Sequence, residues 1–171
     1  MSSFEIIGGH PLSGEITPQG AKNEALQVIC ATLLTDKEVI INNIPNIRDV
    51  NKLIELLEYL GVVVNKLGKE SYSFQANRVD ISRIYTERYS QMAASLRGSI
   101  MLVGPLLARF KEAYIPTPGG DKIGRRRLDT HFTGFEKLGA DFNYDSTTKA
   151  YHVKGDTLTG CYMLLDEASV T

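Results

Sequence analysis

Lysine and asparagine stand together as Lys22 and Asn23, arginine stands at Arg97, and the run PGGDKIGRRRLD sets Asp121 ahead of Arg125, Arg126 and Arg127. Lys22 and Asn23 open the apolar helical pattern GAKNEALQVICATLL, and Arg97 falls early in a second, QMAASLRGSIMLVGPLLARF. Helix starts present unpaired N–H groups and a partial positive charge, so a cation placed there builds a site for a phosphate or a carboxylate. Plainer roles stand beside that one. Lys22 could be solvated, Asn23 could cap its helix, and Arg97, lying in an apolar helix, needs either a bound anion or a structural carboxylate. Of the three consecutive arginines, one is expected to act and the others to be solvated. Asp49 and Asp129 read as N-caps of their helices. His10 and His131 lack metal-ligand spacing, and His131 reads as structural.

These residues sit on a repeated scaffold. DKEVIINNIP followed by RDVNKLIELLEYLGVVVN returns later as FKEAYIPTP followed by RLDTHFTGFEKLGADFN. Both copies run Lys-Glu, alternating strand, proline turn, aspartate, a helix closing on Leu-Gly, and another strand. The Lys-Glu pairs lie 74 residues apart and the Leu-Gly pairs 78, so the second copy holds a few extra residues, which fall at the PGGDKIGRRR loop. Insertions of this kind are where sites tend to lie. LSGEI at Leu12 to Ile16 recurs as LTGCY at Leu158 to Tyr162, opening a third copy that breaks off at Thr171, which reads as a truncation point. Lys22, Arg97 and Ser169 are equivalent under the repeat, which brings three helix starts to one face if the units pack about a pseudo-threefold axis.

The patterns predict strands near 3–8, 12–17, 38–43, 62–66, 71–76, 111–116, 140–144, 150–154 and 161–165, with helices near 21–35, 49–60, 91–109 and 128–138. Gly61 and Gly139 are expected just past helix ends, and KLGKES and DSTTK should close hairpins. The first and third helices are apolar on nearly all faces and should be buried all round. The predicted fold is α/β, built from βαβαββ units.

Composition narrows the function. The chain has 171 residues and a formal net charge of −1, so no global field points to nucleic acid or a membrane. No apolar run approaches the roughly 18 residues of a membrane span, and no signal peptide is evident, so a cytoplasmic location is expected. Cys30 and Cys161 fit no metal spacing and read as buried thiols. No metal and no cofactor are expected.

Together, GAKNEAL, LRGSI…GPLLARF, PGGDKIGRRRLDTHFTGFEKLGA and EASVT resemble the UDP-N-acetylglucosamine 1-carboxyvinyltransferases, over the whole chain and in order. The resemblance implies an inside-out α/β barrel of repeated units, with residues 1–20 belonging to a second lobe. Residues 21–171 would form an incomplete first lobe with a substrate loop at 117–129. It implies transfer of the enolpyruvyl group of phosphoenolpyruvate to the 3-hydroxyl of UDP-N-acetylglucosamine, with release of phosphate. Lys22, Asn23 and Arg97 would hold phosphoenolpyruvate, and Arg126 would reach it on loop closure. Residues from Arg126 through Arg127, Leu128 and Asp129 to Thr130 would bind the uridine diphosphate, and Glu167, Ala168, Ser169 and Val170 its other side. The remaining C-terminal part of such an enzyme, which holds the base for the sugar hydroxyl, would be a required partner, so these 171 residues alone are expected to be inactive.

Three positions depart from that family's common pattern. Asp121 replaces a loop cysteine that protonates the vinyl carbon, and to serve as general acid its carboxyl must be raised from about 3.9, as a bound phosphate's charge would do. Without that cysteine, resistance to fosfomycin, an epoxide that alkylates it, is expected. Glu167 replaces a lysine, and Arg127 a proline. The rival readings are a non-catalytic anion-sensing paralogue and, more distantly, an enzyme like enolpyruvyl-shikimate-phosphate synthase.

Overall fold

The computed structural model describes residues 3–117 and 128–165. In chain order these form α1 (Lys22–Ala31), β1 (Glu38–Ile41), α2 (Arg48–Tyr59), β2 (Val63–Lys66), β3 (Tyr72–Gln75), α3 (Glu87–Ala94), α4 (Val103–Phe110), β4 (Glu112–Pro116), α5 (Asp129–Lys137), β5 (Asp141–Asp145) and β6 (Ala150–Lys154). Short 3₁₀ turns cover Thr32–Leu34, Ile81–Tyr85 and Arg97–Leu102. The repeat is visible in the topology. β1, β3 and β2 make one antiparallel sheet in that order, and β4, β6 and β5 make another. In each sheet the last strand inserts between the other two, with Val39 opposite Phe74 and Ala113 opposite Val153.

Both helix–strand corners close identically. Gly61 and Gly139 take φ of +101° and +98°. The N–H of each glycine donates three residues back, and the next residue (Val62 or Ala140) donates to the carbonyl five residues before it, Leu57 or Phe135. This paired arrangement satisfies the last helix carbonyls and needs a residue that tolerates positive φ. The downstream chain then returns to the same corner, Asp80 N–H donating to Leu60 O at 2.8 Å and Thr159 N–H to Leu138 O at 2.9 Å.

One apolar core serves both units. α2 presents Val50, Leu53, Ile54 and Leu57 at helical spacing, and these pack with Ile29 and Leu33, Phe74, Tyr89, Leu106, Leu107 and Val153. Arg109 ties α4 to the end of the first helix by donating to the carbonyls of Leu33 (2.8 Å) and Thr35 (3.1 Å).

Several expectations change. Each unit is αβαββ in the described residues. The stretches predicted as strands at 3–8, 12–17 and 161–165 join no ladder, because no sheet edge within the described residues pairs with them. Their alternating apolar side chains stand in solvent, Phe4 at 96% and Leu12 at 98% exposure. α1 buries Ala25, Leu26, Ile29 and Cys30 but exposes Val28 and Gln27, so it is covered on one face only. Cys30 is buried, and burial pushes its thiol pKa up; Cys161 is exposed, since it lies in the ladder-free segment, where it donates to Lys137 O. The predicted helix 91–109 starts earlier, at Glu87 under a Thr86 cap, and breaks at Ser95 and Leu96.

The two corner glycines make a graded prediction. A Cβ at Gly61 would collide with the carbonyl of Arg78, whereas one at Gly139 would sit 3.3 Å from the carbonyl of Thr157. Gly61→Ala should lower unfolding free energy by about 2 kcal/mol or more and Gly139→Ala by about 1 kcal/mol, measured by urea denaturation. Equal losses would contradict the close approach at Gly61.

Candidate active site

The site begins with the packing that brings two helix starts together. Gly20 lies against the backbone carbonyl of Asn43, with no room for a side chain, and this fixes where α1 begins. Gly98 lies against Leu26, where an added Cβ would meet Leu26 Cδ1 at 3.0 Å. The 3₁₀ turn holding Arg97 therefore rests directly on the first turns of α1. The break that creates this turn is held from inside by Ser99, whose buried hydroxyl lies 2.8 Å from Ala93 O and 2.7 Å from Leu96 O.

Between these elements lies a cleft of about 710 Å³. Lys22, Asn23, Arg97 and Leu128 all line it. Asp129 and Thr130 follow in the first turn of α5. The structure thus brings Lys22 and Asn23 of the first unit and Arg97 and Leu128 of the second to one cleft. Asp121, Arg125, Arg126, Arg127, Glu167, Ala168, Ser169 and Val170 lie outside the described residues.

Three lysine, arginine or aspartate residues of the lining, Arg48, Asp49 and Lys52, are not among those anticipated as site residues from the sequence. Asp49 is not an N-cap, since α2 is capped at Ile47 without a side-chain bond; its carboxylate instead accepts from Lys22 Nζ at 3.1 Å. Arg48 and Lys52 line the same wall. A signal existed: Arg48, Asp49 and Lys52 fall at helical spacing on one flank of the apolar stripe. Asp129 likewise does not cap α5, whose cap position is Leu128. Asn23 lies inside α1 and caps nothing, the cap position being Ala21. His131, read as structural, lines the cleft and is exposed.

Electrostatically the cleft is basic, its described lining setting Lys22, Arg48, Lys52 and Arg97 against one carboxylate, Asp49. The Lys22–Asp49 pair is more than two-fifths exposed on each side, so it orients more than it stabilises. Arg97 is half-buried and has no hydrogen-bond or ion-pair partner among the described residues. A partly desolvated guanidinium without a counter-charge is suited to a planar or tetrahedral oxyanion.

A profile of the EPSP synthase (3-phosphoshikimate 1-carboxyvinyltransferase) family matches residues 6–171. The chain belongs to that family. It is 60% identical over 171 residues to a UDP-N-acetylglucosamine 1-carboxyvinyltransferase of Bacteroides thetaiotaomicron and 55% identical to one of Porphyromonas gingivalis. All of this chain aligns in both cases, and it spans 39% of the length of those relatives. Among solved structures, the enolpyruvyl transferase NikO from Streptomyces tendae superposes with a TM-score of 0.71 at 21% identity, over 90% of this chain and 33% of that one. At that identity the likeness speaks for the fold, and it agrees with the repeated α/β units.

Arg97 offers a separation of function from stability. Arg97→Leu should leave the melting temperature unchanged or higher, since no described partner is orphaned, while affinity for inorganic phosphate falls at least about tenfold, roughly 1.4 kcal/mol. Calorimetric titration beside a thermal melt checks both. A melting temperature lower by more than about 4 °C would instead assign Arg97 a structural role.

Proposed function

We propose that the complete protein transfers the enolpyruvyl group of phosphoenolpyruvate to the 3-hydroxyl of UDP-N-acetylglucosamine, an early step of peptidoglycan synthesis in the cytoplasm. The C–O bond to phosphate breaks and a C–O bond to the sugar oxygen forms, and the proton of the sugar hydroxyl is released, overall, with the phosphate. The observation that carries this reading is the half-buried Arg97, without a described counter-charge, set beside Lys22 in one basic cleft. Both substrates are multiply charged anions, and such a cleft supplies fixed positive charge without making the near-neutral protein basic overall. The naming of relatives at 55% and 60% identity supports this pair of substrates.

In this reading Lys22, Asn23 and Arg97 bind phosphoenolpyruvate. Arg126 joins them from the loop, and Asp121 gives a proton to the vinyl carbon, which loses a proton again as phosphate leaves and the double bond re-forms. Residues from Arg126 to Thr130, with Glu167, Ala168, Ser169 and Val170, contact the nucleotide. Residues 1–20 pair with a second lobe supplied by the rest of the protein, and their solvent-facing Phe4, Ile6, Leu12 and Ile16 support that assignment. In this reading the base for the sugar hydroxyl lies in the rest of the protein, so the 171 residues alone should turn over negligibly.

Phosphate release in the presence of both substrates tests the proposal. Asp121→Asn in the complete enzyme should slow release by about a hundredfold or more while phosphoenolpyruvate still binds. Fosfomycin should not inactivate the enzyme, because the loop that carries Asp121 offers no thiol. Full turnover by the Asp121 variant, or rapid loss of activity to fosfomycin, would contradict it.

A further inference from the structure

From α2 a contact that the reaction itself does not require reaches Ser95, two residues before Arg97. Lys52 Nζ donates to Ser95 at two acceptors, the backbone carbonyl at 3.3 Å and the hydroxyl at 3.2 Å. Ser95 is the C-cap of α3, and its hydroxyl donates in turn to Met92 O at 2.8 Å. Only Leu96 separates it from Arg97. Leu96 is extended and buried, so its side chain anchors the break while its backbone leaves the direction of the next residue to whatever holds Ser95. On the inner side Ser99 fixes the turn, and on the α1 side Gly98 does so against Leu26. Among the described contacts, Lys52 holds the third side, and it does so as a cation at a helix C-terminus, where the exposed carbonyls and the macrodipole favour positive charge.

Resting on the reading of the cleft as the phosphoenolpyruvate site, we infer that Lys52 is a positioning residue: its ammonium, bound to Ser95, aims Arg97 into the cleft. Lys52 lies on the same helix face as Asp49, which orients Lys22. One face of α2 thereby sets both cations that flank the anion, Lys22 through Asp49 and Arg97 through Ser95. An ammonium engaged by two protein acceptors has less donor capacity left for a ligand than a free one, which favours alignment over direct contact.

A double-mutant cycle on the complete enzyme, read as the dissociation constant for phosphoenolpyruvate by calorimetry, tests this. Lys52→Met keeps the aliphatic stem and should weaken binding about tenfold. In an Arg97→Ala background the same change should weaken it less than about twofold, because nothing remains to be aimed. Lys52→Arg, which retains a long cationic donor, should recover most of the affinity. Additive losses would overturn the inference in favour of an independent contact with the anion, and unchanged affinity in Lys52→Met would overturn it outright. Phosphate release by the unsubstituted enzyme is measured alongside. Its absence with binding intact defeats the proposed reaction, while the measured coupling between Lys52 and Arg97 still supports or overturns the positioning role.

Discussion

Arg97 is held half out of water without a counter-charge among the described residues, and much of the molecule can be understood as what keeps it there. A guanidinium in that state is unfavourable unless an anion arrives. Two features prevent its escape to solvent. The helix that would carry it past the cleft is interrupted at Ser95 and Leu96, and the interruption is locked by the buried Ser99 hydroxyl on two carbonyls. The turn so formed cannot retreat, because Gly98 is already in contact with Leu26 of the neighbouring helix.

The repeat explains why such a turn finds a lysine opposite it. Each unit contributes a sheet of three strands and a helix start, and the two units share one core. The Leu-Gly corners of the two units close by the same hydrogen bonds. Residues equivalent under the repeat, Lys22 and Arg97, then meet at one cleft. The α2 helix adds a polar face that touches both walls, Asp49 to Lys22 and Lys52 to Ser95.

Much of this is legible in the sequence, for identifiable reasons. α2, β2 and β3 follow from strong periodicity ended by a glycine that must adopt positive φ, and Lys22 and Arg97 stand out as cations at equivalent points of a repeat. The break within 91–109 is hidden when apolar content is weighed alone, although the poor helix formers Ser95, Gly98 and Ser99 mark it. The strands expected at 3–8, 12–17 and 161–165 rest on alternation, and alternation describes a face without supplying a partner. Asp49 reads as a cap from its place before a helix, whereas its role depends on a lysine 27 residues away. Arg48 and Lys52 are easily passed over, because charge on a helix flank is usually solvated.

The most telling observation would be where an anion binds. Phosphoenolpyruvate would be titrated into isotope-labelled complete protein, and backbone amide shifts followed by NMR. The largest changes should fall at the first turn of α1 around Lys22 and Asn23 and at the Arg97–Ser99 turn. Changes centred elsewhere, for example where Arg83 and Arg88 flank the Tyr59 ring, with the Lys22 and Arg97 amides unmoved, would contradict an anion site built on Arg97.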